Sequence, residues 1–268
     1  GVLAAMAIFQ RLGLEAGSQR FGRCAAELAG LLIATGRFED LVQLHQAYPS
    51  DMLKDSFMLA ARAALAGNQL DSARQLEIAM LLHSYSAPLF RSEKELKAYS
   101  DLSSEIAVAA VRAGRFAEAS KIYTLAPGMP LFKTLCTELE LQAGALADNE
   151  FFAFTNRLLP SLVVNMPQEP AALQKLDALL AKISVEVIAV GRFTNLTKLH
   201  EVVRGSKRSD ARMASSFASA IQRLAQLGDP GSEAVAMMLL TYCANHVAQA
   251  DTEIRNAVFL MAQKAKVD

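Results

Sequence analysis

From Ile106 to Tyr123 the chain reads IAVAAVRAGRFAEASKIY, and the spacing of its apolar residues decides the fold. Ile106 and Ala107 stand eight and seven positions before Gly114, and Ala110 four before it. Positions so spaced share one face of a helix with 3.6 residues per turn. After the glycine, Phe116, Ala119, Ile122 and Tyr123 fall at offsets 0, 3, 6 and 7, again a single helical stripe. Gly114 lies between the two stripes, where a helix can end in a left-handed backbone conformation that a β-carbon would penalise. The stretch is therefore expected to form helix, short turn, antiparallel helix.

The same tripeptide recurs. Gly36-Arg37-Phe38, Gly114-Arg115-Phe116 and Gly191-Arg192-Phe193 are separated by steps of 78 and 77 residues. Gly67 and Gly144 divide those steps in the same way, 47 residues before the next tripeptide each time, and Gly228 follows Gly191 by 37. Large-then-small pairs precede five of these glycines: Leu28-Ala29, Leu59-Ala60, Ile106-Ala107, Cys136-Thr137 and Ile183-Ser184. Four before each come Leu32, Ala63, Ala110, Glu140 and Val187, of which only Glu140 is not apolar. Phe38, Leu41, Leu44 and His45, and later Phe193, Leu196, Leu199 and His200, repeat the stripe that follows Gly114. Neither helix of such a unit can bury its stripe alone, so neighbouring hairpins must stack.

The expectation is an all-α solenoid of stacked antiparallel hairpins over residues 1–268, read as a single array. About six hairpins would turn near Gly36, Gly67, Gly114, Gly144, Gly191 and Gly228. Val2–Leu12 reads as an N-terminal helix, and Ala234–Val247 and 252–264 as the closing helices. The two 47-residue gaps hold breakers: Ser84-Tyr85-Ser86-Ala87-Pro88 with a charged stretch from Arg91 to Lys97, then Pro160, Pro167 and Pro170. These are expected to be loops or short extra helices, because proline lacks an amide donor and clashes with the preceding turn.

Composition narrows the function. Apolar residues make up 52 % of the chain and tryptophan is absent, which suits close-packed helices. Residues 1–134 hold 14 basic and 13 acidic side chains and residues 135–268 hold 13 and 14, so no global field draws the chain to nucleic acid or to an anionic membrane. The longest uncharged stretch, Ala234–Ala250, is short for a bilayer and carries Thr241, Asn245, His246 and Gln249, so a core helix is expected there and no membrane span. Three cysteines without a close pair point to a reducing, intracellular compartment. The first residue, Gly1, is compatible with a processed or truncated start, and a removed transit peptide would leave no trace.

Chemistry-bearing residues read mostly as packing. His45 and His200 occupy the repeat position of Tyr123, and a solenoid puts equivalent side chains in equivalent places. Cys243 and His246 are near enough on a helix to share a metal, but two ligands do not make a zinc site. Gly17-Ser18-Gln19-Arg20-Phe21-Gly22-Arg23 lacks the lysine and the Ser/Thr of a phosphate loop and reads as a lead-in to a helix starting near Cys24. Glu27, Glu39 and Asp40 read as solvated helix residues, with no carboxylate pair placed for acid–base work. No nucleophile motif or dinucleotide fingerprint is present, so no enzyme activity, cofactor, metal or small-molecule substrate is expected. One basic cluster, Arg204, Lys207, Arg208 and Arg212 around the loop 205–209, could grip phosphate, RNA or an acidic partner, although Glu201 and Asp210 dilute it.

The stretch Ile106–Tyr123 resembles the tetratricopeptide and pentatricopeptide helical-hairpin repeats. In both families a glycine ends the first helix, with a small residue five positions later and an aromatic nine later; Ala119 and Tyr123 match, Leu41 with His45 and Leu196 with His200 less closely. The likeness runs in degenerate form from Ala25 to Cys243, and the 31- and 47-residue spacing departs from the families' period of about 34 or 35. Tetratricopeptide-like arrays imply a protein-binding scaffold, here a structural or adaptor subunit of a larger protein or ribonucleoprotein assembly. Pentatricopeptide-like arrays imply an organellar RNA reader, and with it a mitochondrial or other organellar address. In that family a residue nine before the turn glycine selects a base; the matching residues are Glu27, Met58, Glu105, Leu135, Lys182 and Ser219, of which only Ser219 has a suitable side chain. The scaffold is thus the first expectation and RNA binding the second.

Overall fold

The computed structural model describes residues 7–8, 11–13, 18–47, 53–66, 72–86, 89, 92–204 and 207–247; for Gln19, Ala47, Ser72 and 207–212 it describes the backbone alone. All regular structure among the described residues is helical, and no strand occurs among them. The chain divides into two compact units, Gly1–Ala113 and Gly114–Asp268.

The first unit holds α1 (Gln19–Ala34), α2 (Phe38–Ala47), α3 (Lys54–Ala66), α4 (Ser72–Ser86) and α5 (Glu93–Arg112). Ser18 starts α1 by accepting the Phe21 amide at 3.1 Å, which satisfies one of the donors a helix start leaves open. The helix therefore begins five residues before the expected start at Cys24. It ends where Gly36 turns left-handed (φ 67°) and Arg37 N–H reaches back to the Leu32 carbonyl at 2.8 Å. The expected breaker Ser84–Ser86 lies inside α4, and the charged stretch after Arg91 opens a helix. Ser92 and Glu95 form a reciprocal capping box there, Glu95 N–H donating to Ser92 Oγ and Ser92 N–H to Glu95 Oε2. In packing, α1, α3 and α5 touch in succession, and α4 lies against α2, α3 and α5.

The second unit holds α6 (Phe116–Leu125), α7 (Met129–Leu141), α8 (Ala143–Asp148), α9 (Phe151–Ala153), a π-turn (Phe154–Leu158), α10 (Leu159–Val164), α11 (Pro170–Ala189), α12 (Asn195–Val203), α13 (Lys207–Leu227) and α14 (Pro230–His246). Here α7, α11 and α13 touch in succession, as do α6, the π-turn with α10, and α12. Proline shapes these elements by position. Pro170 and Pro230 open α11 and α14, where the missing amide costs nothing. Pro160 falls within a run of helix, and the five-residue π-turn sits immediately upstream, where the proline ring would otherwise meet the carbonyl four residues back.

Gly36, Gly114, Gly191 and Gly228 are all left-handed, as the repeat reading expects. Gly144 is not: it stands inside α8, with no turn at that residue. The reason is a shift of one position. Leu135, Cys136 and Leu139 are the buried stripe of α7, which counts back correctly from Ala143; counted from Gly144 it lands on exposed Thr137 and half-buried Glu140. Leu59, the large residue counted from Gly67, is likewise exposed, while Phe57, Ala60, Ala61 and Ala64 are buried. Gly67 itself lies outside the described residues, as does 252–264; of Val2–Leu12, the described Ala7, Ile8 and Arg11 are helical. Ala234–Val247 falls in α14 up to its cap.

Candidate functional site

The ninth residue after each tripeptide glycine forms a recurring contact. His45 on α2 meets Tyr85 on α4 edge-on, with ring centroids 6.4 Å apart. Tyr123 on α6 donates to the Asn165 carbonyl beyond α10 at 2.7 Å. His200 on α12 has Nδ1 3.0 Å from Tyr242 Oη on α14, and that hydroxyl lies 3.3 Å from the Thr197 carbonyl. The partners are separated by 40, 42 and 42 residues, so each contact runs from the second helix of one hairpin to that of the next. Burial raises the phenol of Tyr123 and takes that of Tyr242 up to about 12. Neutral rings suit such places, because a charge would lose its hydration.

Ion pairs follow the same rule. Lys54 and Arg62 on α3 pair with Glu95 and Glu105 on α5, Lys175 on α11 pairs with Glu140 on α7 at 2.8 Å, and Arg74 on α4 pairs with Glu39 on α2. The apolar exception noted at Glu140 thus binds a lysine of the following hairpin. The tripeptide arginines bind acids three residues on where these exist, Arg37 to Asp40 and Arg115 to Glu118. Position 195 is asparagine, and Arg192 reaches instead to the Asp148 carboxylate and carbonyl.

The structure also brings together a polar trio that sequence spacing did not single out. His83 on α4 stacks on Tyr99 of α5, centroids 4.4 Å apart, with Nε2 2.7 Å from Ser103 Oγ and Nδ1 3.3 Å from Tyr99 Oη. A serine beside a histidine invites comparison with a nucleophile and its base. The proton arrangement decides otherwise. Ser103 Oγ–H donates to the Tyr99 carbonyl at 2.8 Å, so Nε2–H must donate to Ser103 and Nδ1 must accept from the tyrosine. All three side chains are buried, Ser103 completely. Burial lowers the imidazole to about 4 and raises the Tyr99 phenol to about 12, which keeps both neutral. The trio is a closed internal loop that fastens α4 to α5. Tyr99 and Ser103 lie four apart on one helix face, a spacing visible in the sequence; their partner sixteen residues earlier carried no signal.

Of the expected basic cluster, Arg204 is exposed at the end of α12, and Lys207, Arg208 and Arg212 lie in the opening turns of α13, where side chains are outside the described set. Among the six base-selecting positions, Leu135 is buried, Glu105 is held by Arg62 at 3.0 Å and Lys182 by Glu186 at 2.9 Å; Glu27 and Ser219 are exposed. Cys243 is buried and its thiol pushed up to about 12 by that burial, while His246 is exposed on the same helix. Among the described residues no three His, Cys, Asp or Glu side chains gather where they could hold a metal ion. No described helix is long and apolar enough to cross a membrane. No protein-family model matches the chain, and no curated protein or solved structure shows significant similarity to it.

Proposed function

We propose that the chain is a non-catalytic helical-repeat scaffold, a structural or adaptor subunit of a larger protein or ribonucleoprotein assembly, built as a solenoid of stacked hairpins. One observation carries this reading: the same residue of alternate hairpins, His45, Tyr123 and His200, meets the second half of the hairpin that follows at nearly constant separation. Groups that elsewhere do chemistry are here joints between repeats. A stack of this kind keeps one set of side chains inside and offers the rest to partners. Leu59, Leu81, Phe152, Val164 and Met237 are among the large apolar residues left exposed. Co-purification of the native chain with crosslinking should recover stable protein partners. A chain that emerges from its native extract monodisperse and unaccompanied would end the proposal.

Binding of RNA in an organelle is the second reading, supported by the exposed Arg204 and Ser219. It predicts binding at low salt that weakens when Lys207 and Arg208 are changed to glutamine. The paired Glu105 and Lys182 and the buried Leu135 weigh against a base-by-base code.

A further inference from the structure

We draw no further inference here: the strongest candidate, the apolar face of α14 on which Met237 and Met238 stand exposed with no Asp, Glu, Lys or Arg between Ala234 and His246, carries nothing because nothing in the structure shows what covers it.

Discussion

Two glycines that look alike in the sequence behave oppositely. Gly114 is left-handed, and a β-carbon there would also meet Glu150 Oε1 at 3.0 Å, an obstacle at the far end of a flexible side chain. Backbone strain therefore dominates, and Gly114→Ala should destabilise by about 1 kcal/mol. Gly144 sits in α8 with open space around the β-position, so Gly144→Ala should stabilise by about 0.5–1 kcal/mol through helix propensity. Chemical denaturation of the two variants beside the parent chain checks both signs at once. Equal shifts in one direction would mean that the two residues share a conformation. The contrast also shows what sequence can and cannot deliver at this scale. Three Gly-Arg-Phe copies carry their own confirmation, in the phenylalanine that follows, and all three glycines are left-handed. Gly144 had its spacing and the weak pair Cys136-Thr137 to identify it, with no phenylalanine two residues on, and a one-residue shift in where α7 ends was enough to move the turn away from it.

At the scale of elements, the starts of helices were written more plainly than the breakers between them. Ser92-Glu93-Lys94-Glu95 is a capping signature, and the charged stretch it belongs to opens α5 instead of interrupting the array. Glu95 serves twice, accepting the Ser92 amide at 3.0 Å and pairing with Lys54 of α3. Ser92→Ala should cost about 1 kcal/mol, the usual worth of an N-cap. Glu95→Gln should cost less than Glu95→Ala, because the amide oxygen still closes the capping box while the ion pair with Lys54, partly open to solvent, contributes little. Urea midpoints for the three variants give the order, and Glu95→Gln costing as much as Glu95→Ala would show that the ion pair, lost in both, outweighs the cap. Helix existence and the two periodic stripes were legible because burial enforces them over many residues. The π-turn before Pro160 was not, since a proline in the sequence announces a disturbance without saying how the backbone will absorb it. The candidate site divides the same way: the joint at His45, Tyr123 and His200 was visible as a repeat position. The His83–Tyr99–Ser103 loop joins residues from two helices with no shared period.

At the scale of the whole molecule, the acid response can be traced to particular buried or hydrogen-bonded groups. His83 belongs to the first unit and is held neutral by burial at a value of about 4, against 6.5 when free. The unfolded chain therefore binds the extra proton first as pH falls. The stability that the buried neutral imidazole preserves is fully present above about 6.5 and is lost progressively down to about 4, on the order of 3 kcal/mol in all and about 2 by pH 5. In the second unit Glu118 and Asp229 move the other way. Burial opposes ionisation of Glu118, yet its hydrogen bond and charge contact with Arg115 hold it below the usual carboxylate range, and Asp229 is held low by hydrogen bonds from the Ser232 side chain and amide. Groups so shifted keep their contribution until the pH falls below the free carboxylate value near 4. Acidification from pH 7 to pH 5 should therefore loosen α4 and α5. Amide hydrogen exchange, corrected for the intrinsic rate at each pH, measures this directly. His83→Gln should flatten the dependence, since glutamine can occupy a polar site without titrating. If α4 and α5 kept full protection down to pH 5 the prediction would fail, and if the variant kept the full dependence the acid response would have to originate in some group other than His83.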